Sequence, residues 1–117
     1  MRLKSEIWAK AYLRSAAVQG FPGAVVCHGD DEAGAIFIKV TRRDGTAQLY
    51  GPAPAGFDDG DRERRWVPFL KGETCSEAVV DATIAQEKRF DSDIWVIEIE
   101  SADGAHCLDG WLLATAP

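Results

Sequence analysis

The run from Gly34 to Pro54, GAIFIKVTRRDGTAQLYGPAP, predicts two strands joined by a tight turn. On each side of its central Arg-Arg-Asp-Gly sequence the residue types alternate with a period of two, which is typical of a strand. The glycine of that sequence, Gly45, tolerates the positive φ that a hairpin reversal needs. Pro52 and Pro54 end the second strand because they lack a backbone N–H for the ladder. We therefore expect an antiparallel sheet at the centre of the fold, followed by an ordered loop over Pro52–Phe57.

The remaining periodicities predict two helices and further short strands. A helix is expected over residues 5–19 with Ser5 as its N-cap, and a second helix begins at the Thr74–Glu77 capping box. The further strands are expected at Ala24–His28, Arg65–Phe69, Ile94–Glu100 and Ala105–Leu108. The order α-β-β-β-(β)-α-β-β predicts an α+β fold with a mainly antiparallel sheet of about five strands. Both helices are expected to cover one face of that sheet.

The length and composition suit one globular domain without a membrane-spanning segment. The 117 residues are interpreted as a single domain over residues 1–113 and a short C-terminal tail over residues 114–117. No stretch approaches the roughly 18 apolar residues that span a bilayer, and Lys10 and Arg14 interrupt what would be the apolar part of a signal peptide. The three cysteines, an odd and sparse set, fit reduced thiols. We therefore expect a cytoplasmic protein with no membrane partner.

Negative charge is concentrated at the C-terminal end. Residues 91–117 hold six acidic residues and no Lys or Arg, whereas residues 1–90 hold 13 acids and 13 bases, so the final quarter carries the net charge of −6. This acidic stretch either matches the basic first helix within the chain or offers a surface to a basic partner. Net acidity argues against a nucleic-acid partner, which normally requires a basic stripe.

Two adjacent Cys/His pairs are candidate metal ligands. They are Cys27-His28 and His106-Cys107, with Cys75 between them in the sequence. Zinc requires thiolate and imidazole ligands that converge tetrahedrally, but neighbours on a strand point to opposite faces, so each pair offers one ligand to a given site. Neither C-x-x-C nor H-x-x-x-H spacing occurs. We therefore expect buried free cysteines, no metal and no cofactor.

A second candidate is a group of acids suited to a divalent metal. Asp30, Asp31 and Glu32 are predicted in a loop, and Glu98 and Glu100 share one face of a strand. Carboxylates of this kind would serve a metal-dependent hydrolase or a nuclease-like protein. Solvated loop acids are the simpler interpretation.

Patterns that would support catalysis are incomplete. The predicted element order also occurs in restriction-endonuclease-like nucleases, which place an acid two positions before a strand lysine. In this chain Phe37 stands at that spacing before Lys39. No G-x-S-x-G elbow frames a nucleophile, and neither G-x-G-x-x-G nor a P-loop is present. We assign no catalytic or cofactor-binding residue and expect a non-enzymatic protein.

The aromatic residues suggest an interaction surface. The strand predicted at Ile94–Glu100 is apolar on both faces, and two helices on one face would leave the other open. An exposed apolar patch usually marks an interaction site, so a homodimer is expected with Trp95 or Trp111 near its centre. The competing interpretation is a monomer in which Trp66 and the loop over residues 51–62 cover that face. The candidate interaction residues are Trp95, Trp111, Tyr50, Glu98 and Glu100.

Three segments taken together carry a resemblance to a known family. The segments RLKSEIWAKAYLR, GAIFIKVTRRDGTAQLYGPAP and RFDSDIWVIEIE, in that order, resemble the small alphaproteobacterial proteins of domain-of-unknown-function family 1491. The likeness covers nearly the whole chain. It implies a stand-alone cytoplasmic bacterial protein and supplies no activity, substrate, cofactor or catalytic residue.

The sequence as a whole predicts a binding or protein-interaction module with an acidic C-terminal surface, whose partner is an unknown protein or a second copy. The alternative is the metal-dependent hydrolase or nuclease-like protein.

Overall fold

The computed structural model describes residues 3–54 and 64–113 of the chain. The elements, in chain order, are α1 (Ser5–Val18), β1 (Gly23–Cys27), β2 (Ile36–Thr41), β3 (Thr46–Pro52), β4 (Trp66–Pro68), β5 (Cys75–Ser76), α2 (Glu77–Phe90) and β6 (Trp95–Glu100). A short 3₁₀ helix at Leu70–Gly72 precedes β5. Two helices on a mostly antiparallel sheet confirm the predicted α+β class. Neither described helix is long and apolar enough to cross a membrane.

Among the described residues the sheet contains six strands. Its order is β1-β6-β2-β3-β4, and the two-residue β5 also pairs with β3. All pairs are antiparallel except β2 with β6. That parallel pair requires a long crossover, which the chain from β3 to α2 provides. The predicted hairpin joins β2 to β3, and Gly45 in its turn has a φ of +83°.

The two helices lie on opposite faces of the sheet, which corrects the prediction that both cover one face. α1 buries Trp8 and Tyr12 against the face that carries Ile38 and Ile97. α2 buries Val80 on the other face. The cluster around Val80 contains Phe37, Ala47, Leu49, Ile94 and Val96. Since β6 is apolar on both sides, each face needs its own cover.

The residues after β6 cross the α1 face instead of forming the strand predicted at Ala105–Leu108. Cys107 has a φ of +56°, which is incompatible with an extended strand. Leu108 is fully buried in the α1-face core, and the Tyr12 hydroxyl donates a hydrogen bond of 2.6 Å to the carbonyl oxygen of His106. Farther along, Leu112 forms a parallel bridge with Trp66. This segment therefore completes the cover of the α1 face together with Trp66, which is buried there.

The starts of both helices differ from the predicted caps. The N-cap of α1 is Lys4, not Ser5, and its side chain makes no capping hydrogen bond. The amides of Ser5 and Glu6 donate instead to the carbonyl oxygens of Glu32 and Asp31, at 3.1 and 2.9 Å. The loop over residues 29–34 thus satisfies amides that a helix start leaves free.

The N-cap of α2 is Ser76, whose hydroxyl accepts a hydrogen bond from the amide of Val79, so the predicted Thr74–Glu77 capping box is wrong by two residues. The predicted tail over residues 114–117 and the second half of the predicted ordered loop over Pro52–Phe57, residues 55–57, lie outside the described residues.

We expect Gly29→Ala to destabilise the protein by about 1–3 kcal/mol, the usual cost of overpacking. A Cβ at Gly29 would overlap the carbonyl oxygen of Asp93, and backbone cannot rotate aside as a side chain can. Urea unfolding at equilibrium measures the change. Gly45→Asn is the control, because Gly45 has open space around it and asparagine adopts positive φ readily. Equal losses in the two variants would show that steric overlap with Asp93 is not the cause.

Candidate functional site

A cleft of about 560 Å³ opens on the α2 face of the sheet. It lies between the loop before β1, the β2–β3 turn, the end of β6 and the start of α2. The cleft exists because the core under α2 covers β3 and Val96 of β6 but ends there, so Glu98 and Glu100 stay at least partly exposed among the described residues. The charged residues that line it are Arg42, Arg43, Glu77, Glu98 and Glu100. A volume of this size is in the usual range for ligand-binding pockets.

Beside the cleft, a buried lysine gathers three carboxylates. The side chain of Lys39 is 7% exposed, and its Nζ lies 2.8 Å from Asp81, 2.9 Å from Glu77 and 3.3 Å from Glu98. The fold brings these groups together in two ways. Glu98 on β6 is the register partner of Lys39 on β2. Glu77 and Asp81 are four residues apart on α2 and therefore project from the same side of the helix.

The three carboxylates keep Lys39 positively charged. Burial lowers the pKa of Lys39, but hydrogen bonds to Asp81 and Glu77 and the charge of Glu98 outweigh it, so the pKa lies above its ordinary value of 10.5. A lysine acts as a base or nucleophile only when its pKa is depressed. Lys39 is therefore a structural cation, and three carboxylates around one cation leave the cluster net negative.

The two arginines that line the cleft lie at the β2–β3 turn. Arg42 is directed away from the glutamates: its Nη2 lies 3.4 Å from Oε1 of Gln48 and close to the backbone of Gly104. A hydrogen bond from Ser101 holds the pKa of Asp103 below its ordinary value, and the charge of Arg42 adds to this effect. The cleft thus has an acidic wall, formed by Glu77, Glu98 and Glu100, and a separate basic rim.

The structure separates the predicted interaction residues. Glu98 and Glu100 line the cleft on the α2 face. Trp95 and Tyr50 belong to the α1-face core, where they are 2% and 7% exposed. Trp111 is half-buried on the same face, where its ring packs edge-to-face with Trp8 at a centroid distance of 5.3 Å. The homodimer predicted with Trp95 or Trp111 near its centre assumed an open sheet face, whereas the chain itself covers Trp95.

The loop acids Asp30, Asp31 and Glu32 lie at the end of β6 that is remote from Glu98 and Glu100. The carbonyl oxygen of Asp30 accepts a hydrogen bond of 2.7 Å from Nε1 of Trp95, the first residue of β6. Glu98 and Glu100 lie three and five residues farther along, which is roughly 10–17 Å at the usual rise of a strand. Asp31 instead contacts His28 at 2.7 Å. The alternative hydrolase or nuclease-like site therefore does not assemble from these acids.

The cysteines and histidines do not form a metal site in the described part of the chain. Within residues 3–54 and 64–113, no group of three or more His, Cys, Asp or Glu side chains is placed to hold a metal ion. All three cysteines are free thiols; Cys107 is buried as predicted, whereas Cys27 and Cys75 are only half-buried. Burial raises the pKa of Cys107, with the charges of Asp109 and Asp103 adding to this effect.

Lys39 was not identified from the sequence as the residue that brings the three carboxylates together. Its signal was available, because a lysine inside the apolar run Ile36–Val40 needs partners when both sheet faces are covered. The spacing of Glu77 and Asp81 in α2 was a second signal. What the sequence did not supply was the parallel pairing of β2 with β6, which places Glu98 beside Lys39.

We expect Lys39→Met to destabilise the protein at pH 7 by roughly 1–3 kcal/mol, because half-exposed carboxylates then face one another without a cation. The pKa of Lys39 is raised in the folded state. Lys39 therefore contributes fully to the free energy of unfolding below pH 10.5, and this contribution is lost as the pH rises through the raised pKa. The difference in unfolding free energy between wild type and variant should therefore become smaller in alkali. Urea unfolding midpoints measured from neutral to alkaline pH test this trend.

The matched control for that experiment is Lys10→Met. Lys10 also pairs with a carboxylate, Glu6 at 2.8 Å, but both side chains are exposed. Exposed pairs of this kind contribute little, so the control should change stability only slightly. A loss in Lys39→Met that is no larger than the control, or that is independent of pH, would contradict the assigned role of Lys39.

The family model and the solved structures that resemble this chain indicate the same family. The model of a family described as "Protein of unknown function (DUF1491)" matches residues 3–109. The chain is 37% identical to a DUF1491 family protein from Caulobacter crescentus CB15, whose crystal structure superposes with a TM-score of 0.77 over 96% of this chain and 98% of that chain. It is 40% identical to a protein from A. tumefaciens with a solution structure, at a TM-score of 0.80 over 100% of this chain and 98% of that chain. A comparison with curated proteins found no match. Because the family model covers most of the chain, the protein belongs to the DUF1491 family, as its sequence resemblance predicted.

Proposed function

We propose that this protein is a non-enzymatic binding module that takes a lysine- or arginine-bearing segment of a partner protein into the cleft on the α2 face. The observation that carries the proposal is the acidic wall of Glu77, Glu98 and Glu100 beside a cleft of about 560 Å³. In this proposal the module works in the bacterial cytoplasm, in keeping with its free thiols.

Two of the three glutamates in the acidic wall, Glu77 and Glu98, are held in place before any partner arrives. Glu77 and Glu98 are both fixed by Lys39, at 2.9 and 3.3 Å, yet their side chains remain 43% and 34% exposed. Each carboxylate has two oxygens and several acceptor positions, so pairing with Lys39 leaves capacity for a second donor. Side chains that are already ordered lose less entropy on binding. This preorganisation favours a binding role for the wall beyond its contribution to stability.

The basic rim favours one orientation of a bound segment in the cleft. Arg43 is exposed at the β2–β3 turn and lines the cleft. Like charges placed opposite each other oppose binding, whereas complementary charges favour one orientation. A partner segment is therefore expected to place its basic side chains beside β6 and a neutral or acidic group beside the turn.

We expect an oligolysine peptide to shift the backbone amide signals of residues that line the cleft, followed by NMR on the isotope-labelled protein. Glu100→Gln should weaken this binding by roughly two- to fivefold, the effect of losing one exposed charge pair. Glu100 is exposed and does not contact Lys39 in the described structure, so this change leaves the Lys39 cluster intact. Arg43→Gln should strengthen binding by a similar factor, because it removes a like charge from the cleft.

Asp109→Asn is the matched control for Glu100→Gln. It removes the same charge from the same acidic C-terminal quarter, but Asp109 does not line this cleft. If Asp109→Asn weakens binding as much as Glu100→Gln, then net charge alone attracts the peptide and the cleft is not the site. Binding that leaves the signals of cleft residues unchanged would also contradict the proposal.

A further inference from the structure

The two edges of the sheet are treated differently. At one edge, β4 ends in Pro68 and its Trp66 is bridged by Leu112 from the C-terminal segment. At the other edge is β1, Gly23–Cys27, which pairs only with β6 among the described strands. Its sequence, GAVVC, contains no charged residue, and Val25 and Val26 are 39% and 62% exposed. Proteins usually protect such edges with charges, prolines or bulges, since unpaired backbone groups recruit a further strand.

Backbone hydrogen bonds show which groups of β1 face outward. The amide of Glu100 on β6 donates to the carbonyl oxygen of Pro22 at 2.9 Å. Polar groups in an antiparallel ladder face the partner at every second residue, so Ala24 is the next residue directed at β6. Gly23 and Val25 therefore direct their N–H and C=O groups away from the sheet. A register shift between Val25 and Cys27 ends this regular stretch.

The acidic wall of the cleft begins one strand in from this open edge. Ala24 is the register partner of Glu98, so the two side chains share the α2 face and lie about 5 Å apart at their Cβ atoms. A strand added beside β1 would lie about 4.8 Å beyond it. Because Ala24 is small and exposed, a long side chain from the added strand can pass over it. Lysine and arginine have the length to reach Glu98 and Glu100 by this path, with the stem on Ala24 and the charge at the carboxylate.

We infer that the partner segment binds as an extended strand added to the β1 edge, with alternate basic side chains crossing Ala24 to the glutamates of the cleft. Backbone bonds to Gly23 and Val25 supply affinity, and the glutamates select basic residues on one face of the added strand. This inference rests on the proposed function for the chemistry of the partner. It adds the conformation of the partner and the place where its backbone binds.

The test uses a short peptide that alternates lysine and threonine, compared with the same peptide N-methylated at every second amide. Both peptides carry the same charge, but the second lacks the backbone donors that a ladder needs. With the unmodified peptide, amide hydrogen exchange at Gly23 and Val25 should slow by at least about tenfold. Exchange at Ala24, whose amide already faces β6, should change little. The methylated peptide should bind more weakly by roughly tenfold and should leave exchange at Gly23 and Val25 unchanged.

Val25→Pro tests the same contact from the side of the protein. It removes one outward N–H and leaves the ladder between Ala24 and Glu98 in place, as a proline at a sheet edge can. The unmodified peptide should lose roughly three- to tenfold in affinity for this variant. The comparison of the two peptides on the wild-type protein gives the same information if Val25→Pro does not fold.

The failures of the two proposals are distinguishable. If both peptides bind equally and β1 exchange is unchanged, the edge inference is overturned while the acidic cleft retains its role. If neither peptide binds, both proposals are overturned. If Gly23 and Val25 are already protected without peptide and light scattering gives twice the monomer mass, a second copy occupies the edge. That result would replace the basic segment as the partner.

Discussion

The fold depends on a central strand that must be covered on both sides. β6 lies between β1 and β2 and places Trp95, Ile97 and Ile99 on one face and Val96 on the other. Burying an aliphatic side chain of this size contributes about 1.5–3 kcal/mol relative to leaving it exposed. A single layer of helices cannot satisfy such a strand. The chain therefore places α1 and its last segment on one face and α2 on the other, with the long crossover that makes β2 and β6 parallel.

The local elements were predictable because short-range chemistry decides them. The β2–β3 hairpin follows from alternation and a glycine in its turn, and the two-sided apolar character of β6 was readable from residues 94–99. The expected single-face arrangement was wrong because helix placement depends on which strands pair. Parallel pairing of β2 with β6 joins residues far apart in sequence. The residue pattern of a single sequence does not show which distant strands pair or in which register. The predicted strand at Ala105–Leu108 failed for a local reason, the positive φ of Cys107.

The candidate site was predictable only in part. Glu98 and Glu100 were singled out from their spacing on one face of a strand, and the structure places both in the cleft. The aromatic candidates Trp95 and Tyr50 are core residues, because a large aromatic side chain is more often buried than exposed. Lys39 required tertiary information: its three partners come from α2 and β6, and only the assembled sheet brings them within 3.3 Å.

The cleft and the open edge have a common structural cause. α2 is 14 residues long, and the core that it completes over β3 ends at Val96 on β6 among the described residues. Where the helix cover ends, β6 changes from apolar residues to Glu98 and Glu100, and β1 presents Ala24. The polar residues at this point keep the uncovered part of the sheet hydrated. Lys39 partly neutralises the carboxylates that lie nearest the core. Among the described residues, the same arrangement leaves an acidic wall beside an unpaired strand edge, and the extended basic segment that we propose would contact both.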